Sequence, residues 1–263
     1  EKANNLAILD LAAKVDEAAA FLVQKQWSLA ISQPQLDFPP PFGKAMTKDE
    51  QIIHDLDAKT GASLKLTVLN PHGNIWTMVA GGGSSVVIAD TISSLGFTAQ
   101  LANYGEYSGA PSTEHTYLYA KQILDLMTRP ENNLPATRSS TGKVLIIAGA
   151  IANFTDIAAT FKGIIQALWE YKDRLIQLGT KVYVRRAGPN STVGLQLMRD
   201  ECKKMKLEAH IFGSEIAMTG IIPFALGLQS SPFAKEYTPK YVTPQPQLSD
   251  SLALINGGRY QHA

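Results

Sequence analysis

Two arginines stand side by side at Arg185-Arg186, after the apolar run Lys181–Val184 and before Ala187-Gly188-Pro189-Asn190. A guanidinium fork matches a carboxylate or phosphate through two parallel hydrogen bonds, so this pair at the end of a buried strand points to an organic anion. Strand alternation sends neighbouring side chains to opposite faces, so at most one of them meets a ligand directly. The alternative is a pair of solvated cations. A second candidate is Gly149-Ala150-Ile151-Ala152-Asn153-Phe154-Thr155-Asp156, which lies between the apolar run Val144–Ala148 and a helical pattern. Free backbone N–H groups at a helix start, aided by the helix dipole, attract anions. Either Asn153 and Thr155 add polar groups to such a site, or one of them simply caps the helix.

Other segments carry weaker signals. Gly81–Gly83 could cradle a phosphate but lacks the Lys-[Ser/Thr] ending of a Walker loop and the spacing of a dinucleotide fingerprint, so a tight strand-to-helix turn explains it as well. Gly105-Glu106-Tyr107-Ser108-Gly109-Ala110-Pro111 is either a loop that brings backbone close to a ligand or a plain connector. Asp55-Leu56-Asp57-Ala58-Lys59-Thr60-Gly61-Ala62-Ser63 could neighbour a hard cation or a phosphate, as could Asp10 at the end of an apolar run; a solvated turn is the alternative. The five histidines show neither nucleophile–base nor metal spacing. Cys202 is the single cysteine, which excludes an internal disulfide framework and fits a reducing, cytoplasmic setting.

These segments must be held by regular elements, and the pattern supplies them. From Ser63 to Leu228 apolar strand-like runs alternate with helical stripes. Examples are Tyr117, Ala120, Leu124 and Met127; Ile157, Phe161, Ile164, Ile165 and Leu168; and Leu195, Met198, Cys202 and Met205. Expected strands are Leu64–Leu69, Ile75–Val79, Ala99–Tyr104, Lys143–Ala148, Lys181–Val184 and Glu208–Phe212, with helices at Ser84–Leu95 and near Ile216–Leu228. All-apolar strands alternating with amphipathic helices predict an α/β domain with a doubly wound, flavodoxin-like, mostly parallel sheet. Ligands of such sheets bind where strands end and helices begin, which is where the two leading candidates lie.

The chain has 263 residues, with 24 Lys+Arg against 23 Asp+Glu and 45% hydrophobic positions. A net charge of +1 leaves no surplus for a basic face, so neither nucleic acid nor an anionic membrane is an expected partner. The apolar stretches around Val144–Ala152 and Ile221–Leu228 are too short to span a bilayer. Phe38-Pro39-Pro40-Pro41-Phe42-Gly43, within Gln24–Glu50, reads as an extended connector and a domain boundary. Glu1-Lys2-Ala3-Asn4-Asn5 has no leader character and no initiator Met, which suggests a start inside a longer protein. Periodicity ends after Gln229, so the remainder reads as a tail that is disordered or ordered by a partner.

Taken together, the residues Leu9–Asp16, Phe38–Gly43, Asp55–Ser63, Ile75–Gly83, Ala102–Pro111, Ile151–Thr160 and Val184–Asn190 resemble the ATP-citrate lyase family. The similarity is to the part of its citryl-CoA synthetase module that is related to the β subunit of succinyl-CoA synthetase. Asn103-Tyr-Gly-Glu-Tyr-Ser-Gly-Ala-Pro111 and Ile151-Ala-Asn-Phe-Thr155 favour the citrate enzyme. The resemblance implies a remnant of an ATP-grasp domain over residues 1–26, a connector with a magnesium-associated loop over 27–62, a succinyl-CoA synthetase-like citrate-binding domain over 63–228, and a tail over 229–263. It implies citrate binding by Gly109, Asn153, Thr155, Tyr171 and Arg186, and Mg²⁺ association at Asp10, Asp57, Thr60 and Ala62. Of these, Tyr171 had no signal in the residue pattern itself.

ATP and CoA would bind mainly outside this chain. A phosphohistidine- and CoA-binding module with citryl-CoA lyase activity would be the partner, on the same polypeptide or a second subunit, in a cytoplasmic higher oligomer. The implied reaction runs through phosphohistidine, citryl-phosphate and citryl-CoA to acetyl-CoA and oxaloacetate. Two other functions remain open at this point: an acid–CoA ligase of the succinyl-CoA synthetase type without lyase activity, and a non-catalytic citrate-binding assembly subunit.

Overall fold

The computed structural model describes residues 46–133 and 142–233, together with Gln26 and Leu29. The chain divides into two units, Glu1–Met46 and Thr47–Ala263. In the first, Gln26 and Leu29 are helical and exposed. The segment expected to be an ATP-grasp remnant, apart from Gln26 and including Asp10, the proline run of the connector and the tail beyond Phe233 lie outside the described residues.

The second unit opens on α1 (Lys48–Asp57), inside the stretch expected to be connector. Its start is a reciprocal cap: Glu50 N donates to Thr47 Oγ1 at 3.2 Å and Thr47 N donates to the Glu50 carboxylate at 2.7 Å. The other Glu50 oxygen accepts Val68 N at 2.7 Å, which fastens α1 to the next strand. The proline run drew the connector boundary too far; Thr47 with Glu50 three residues later is the helix signal it hid.

Then follow β1 (Ser63–Val68), β2 (Ile75–Ala80), α2 (Gly82–Ser94), β3 (Asn103–Ser108), α3 (Thr113–Thr128), β4 (Val144–Ile151), α4 (Ile157–Gln177), β5 (Lys181–Ala187), α5 (Ser191–Met205), β6 (Glu208–Phe212) and the short α6 (Ile221–Ala225). Strands β2, β4, β5 and β6 form a parallel sheet in that order, while β1 and β3 pair antiparallel. The fully buried Asn103 joins the two sheets. Its side chain accepts Thr77 N at 2.8 Å and donates to Thr77 O at 2.9 Å, copying a strand pair with one amide.

The α/β class with a mostly parallel sheet is as expected, but several boundaries move. Thr98–Gln100 is a 3-10 turn, so β3 begins at Asn103 and takes in Gly105–Ser108, expected as loop. A Cβ at Gly105 would collide with the Lys65 carbonyl of β1, so this glycine serves a close strand pair. β4 continues through Gly149, Ala150 and Ile151, with a register shift against β5 between Ala148 and Ile151. β5 runs to Ala187 and carries both arginines within the strand. The last helix covers only Ile221–Ala225 of the expected Ile216–Leu228.

Alternation along β4 and β5 splits the core. Leu145, Ile147, Val182 and Val184 pack with α3, α4 and α5, whereas Ile146, Ala148 and Tyr183 pack with α2 and α6. The three helical stripes read from the sequence are buried, Tyr117 only in part. Each fully buried Ile, Leu or Phe stabilises the fold by about 1.5–3 kcal/mol, so these stripes fix which face each strand residue meets. By the same parity Arg185 falls on the α2 and α6 face, and Arg186 on the α3–α4–α5 face.

Candidate functional site

The carboxyl ends of β2, β4 and β5 converge on the β4 irregularity. Ala150 N donates to Ser84 Oγ at 3.1 Å, tying the first turn of α2 to this point. Both neighbouring carbonyls are taken by arginines: Arg185 Nη1 donates to Gly149 O, and Arg186 Nη1 to Ala150 O, each at 2.9 Å. Arg185 also donates Nε to Ile216 O at 3.0 Å. The two residues are 6% and 2% exposed, which removes the alternative of solvated cations.

Arg186 lies across β4. A Cβ at Gly149 would come within 2.5 Å of its Nη1, so glycine is required for the arm to cross there. Its Nε has no hydrogen-bond partner, and no carboxylate among the described residues pairs with it. Beside it is Tyr107 of β3, fully buried, whose hydroxyl also lacks a partner. Burial pushes the Tyr107 pKa up, and the nearby Arg186 cation offsets part of that. By contrast the Tyr119 hydroxyl, packed near Tyr107, donates to Lys65 O at 3.0 Å.

The start of α4 differs from expectation. Neither Asn153 nor Thr155 caps it; Asp156 does, accepting Ala159 N at 2.9 Å and Asn190 Nδ2 at 2.8 Å. The Ala159 N–H, then Asn190, hold the Asp156 carboxyl below the usual carboxylate range. Ile157 N donates to Pro189 O at 3.0 Å, so the first-turn donors expected to face an anion are largely used by the chain. Thr155 and Asp156 are adjacent short polar residues, and spacing alone does not choose between them as the cap. Asn153 is exposed and Thr155 half-buried, and their side chains make no hydrogen bond among the described residues.

The Gly81–Gly83 segment is the tight turn into α2. Gly81 has φ +99° and the helix has no side-chain cap. A Cβ on Gly82 would sit 3.1 Å from a Glu106 oxygen, so the chain's own carboxylate borders this turn. Glu106 is held by Ser63 Oγ at 3.0 Å and Ser108 Oγ at 3.2 Å. Gly109, φ +73°, follows Tyr107 by one intervening residue, and a Cβ there would press on Ala62 Cα at 3.2 Å. Gly109 therefore packs the turn after β3 against the Asp57–Ala62 loop.

That loop is closed on itself. Asp57 accepts Leu64 N at 2.7 Å and Lys65 Nζ at 2.6 Å, and Thr60 Oγ1 bonds Ala62 backbone at 3.2 Å. Magnesium takes near-octahedral oxygen ligands, commonly from one or two carboxylates. Asp57 is neutralised by Lys65, and no group of three or more His, Cys, Asp or Glu residues suits a metal among the described residues. Asp10, the other carboxylate of the implied set, lies outside the described residues.

Tyr171 is not brought to the start of α4. It lies roughly 20 Å along α4 from Ile157, at about 1.5 Å per residue. Its hydroxyl meets Asp125 at 3.4 Å, in a network with Arg129 and Asp49 that clamps α1 to α3. Arg186 with Gly109, and Asn153 with Thr155, are thus gathered around one end of the sheet, while Tyr171 serves packing elsewhere. Tyr107 and Gly149 lie within segments singled out from the sequence, but their roles, that of Ser84 and the cap role of Asp156 are visible only in the structure. Of these roles only the Asp156 cap had a hint in the sequence, its place directly before the helical stripe. Cys202 is buried, its thiol pushed up to about 12, as a core residue would be. No helix among the described residues is long and apolar enough to cross a membrane.

Residues 44–228 match the family model described as ATP citrate lyase citrate-binding. The chain is 52% identical over 225 residues to ATP-citrate synthase of Mus musculus, covering 86% of this chain and 19% of that protein. It is 45% identical over 246 residues to a probable ATP-citrate synthase subunit 2 of Schizosaccharomyces pombe, covering 86% and 49%. Among solved structures it is similar to ATP citrate lyase from Methanothrix soehngenii in complex with citrate and coenzyme A, at 52% identity and TM-score 0.72, over 81% of this chain and 52% of that one. The chain spans from about a fifth to a half of the length of these relatives. By the extent of the family match, the chain belongs to the ATP citrate lyase citrate-binding family.

Proposed function

We propose that this chain is the citrate-binding portion of an ATP-citrate lyase. The observation that carries the proposal is Arg186, a 2%-exposed cation with one carbonyl partner, a spare Nε and no carboxylate among the described residues. A buried cation without a counter-charge is costly, and a ligand carboxylate supplies what is missing. In this reading Arg186 takes one carboxylate of citrate, the free side chains of Asn153 and Thr155 take another, and the Gly109 turn allows close backbone approach. Tyr171 is left out of the pocket because its place in the fold is with Asp125 and Arg129.

A tricarboxylate also meets Glu106 and Asp156 at this end of the sheet, so it must be oriented with its carboxylates toward Arg186 and away from these two. We assign ATP, CoA and Mg²⁺ binding, and the phosphohistidine and lyase steps, to modules outside the described residues. In the reaction so assigned, ATP phosphorylates an enzyme histidine, citrate takes the phosphoryl group, CoA displaces phosphate to give citryl-CoA, and cleavage yields acetyl-CoA and oxaloacetate. This chain's share is to hold citrate, and it does not turn over alone. A cytoplasmic oligomer with the partner module completes the reading.

Calorimetric competition tests it. Citrate should bind the chain and succinate should bind at least tenfold more weakly, since a dicarboxylate leaves one set of donors empty. Equal binding of the two acids would favour a succinyl-CoA synthetase-like ligand preference and contradict the proposal.

A further inference from the structure

Two polar groups of the Arg186 region are buried without partners: Arg186 Nε and the Tyr107 hydroxyl. They face the same part of the core: Tyr107, on β3 of the two-stranded sheet, sits in the core cluster of α3, α4 and α5, toward which strand parity also sends Arg186. Buried polar atoms nearly always find partners, and leaving one unmade costs far more than an average hydrogen bond contributes. The neighbouring tyrosine shows that the fold can satisfy such a group: Tyr119 reaches the Lys65 carbonyl, whereas Tyr107, in tilted ring contact with it, reaches nothing. Arg186 is likewise able to bond carbonyls, as its Nη1 does at Ala150, so the unmade Nε bond is a local vacancy in the hydrogen-bond pattern. Gly149 leaves the room the arm occupies, since a Cβ there would lie 2.5 Å from Nη1.

We propose that the Tyr107 hydroxyl is a second anion donor of the site, converging with Arg186 Nε on one oxygen of a bound carboxylate. The inference rests on the citrate reading and adds to it a residue that reads the acid through a neutral donor. A phenol hydroxyl and a guanidinium N–H can both donate, so an ionised oxygen satisfies both at once, whereas a ligand cation satisfies at most the phenol oxygen and an apolar group satisfies neither. Neither atom is open to bulk water, so binding requires the Arg186 guanidinium to shift; its anchor among the described residues is the bond from Nη1 to the Ala150 carbonyl. Tyr107 thereby sets how firmly the acid is held once it is inside.

The test is Tyr107→Phe, which keeps the ring against Tyr119 and removes only the hydroxyl. Citrate is titrated calorimetrically into the wild-type and variant chains, and thermal unfolding of both is followed without ligand. The expected result is a loss of citrate affinity of roughly tenfold to a hundredfold, the range for a hydrogen bond to a charged group, with ligand-free unfolding unchanged or shifted upward. Unchanged affinity in the variant overturns the inference and leaves the citrate reading standing. A matching drop in ligand-free stability also overturns it, because the hydroxyl would then serve the fold. A wild-type chain that does not bind citrate overturns the reading and the inference together.

Discussion

Arg185 places Nε on the Ile216 carbonyl at 3.0 Å and Nη1 on the Gly149 carbonyl at 2.9 Å, whereas Arg186, the next residue on the opposite face, has one carbonyl bond and a spare Nε. Both are buried in the same strand. Burial lowers the pKa of Arg185, the neighbouring Arg186 cation adds to that, and Glu215 opposes it. The first arginine ties β4 and β5 to the Ile216 segment with its hydrogen bonds directed into the fold. The second is held in place by the fold and left incomplete. The difference teaches that burial of a cation does not by itself identify a site; unfilled hydrogen-bonding capacity beside a strand end does.

Exchanging each arginine for alanine should separate the two roles. In Arg186→Ala the citrate dissociation constant should rise by about a hundredfold or more, the scale of losing a buried charge pair, with little loss of ligand-free stability. Arg185→Ala should lose about 2–4 kcal/mol of stability in denaturant titrations, because the Gly149 and Ile216 carbonyls lose their donor. If both variants lost only stability, the distinction between them would fail.

Smaller effects sharpen the same contrast. Gly149→Ala should destabilise by about 1–3 kcal/mol, since the new methyl meets Arg186 Nη1 and the Ala80 carbonyl, and it should weaken citrate binding by displacing the arm. Asp156→Asn tests the cap of α4. The Asp156 pKa is lowered in the fold, so its stabilisation is present above the unfolded carboxylate value and is lost as pH falls through the folded one. Thermal unfolding of the wild type should therefore fall more steeply with acid below about pH 4 than that of Asp156→Asn. Tyr171→Phe should leave citrate affinity unchanged, and a loss there would bring Tyr171 back into the pocket.

The positions of Arg185 and Arg186 at the end of a strand, and of Asn153 and Thr155 before a helix, were legible because hydrophobic periodicity marks where a strand stops. The helical stripes from Ile157 and from Leu195 followed from the same period, with each apolar side chain buried as its spacing required. What sequence could not supply were contacts across strands. Gly149 looks like a loop glycine until Arg186 is laid over it, and Gly105 looks like a turn until β1 runs against it. Asn103 reads as a polar interruption of a strand, yet it is the amide that joins two sheets. Tyr107 gave no signal because an unmade bond has no spacing. Tyr171 entered through family resemblance alone, and the structure buries its ring in the core cluster of α3, α4 and α5 with its hydroxyl 3.4 Å from Asp125, a residue on another helix.

The central claim is that the incomplete arginine, and not its neighbour, is the anchor for the acid. Citrate titration calorimetry on the wild-type chain, Arg186→Ala and Arg185→Ala, under conditions where all three remain folded, tests this most directly. The account predicts measurable citrate binding in the wild type and in Arg185→Ala, and its loss in Arg186→Ala. Retained wild-type affinity in Arg186→Ala would contradict it.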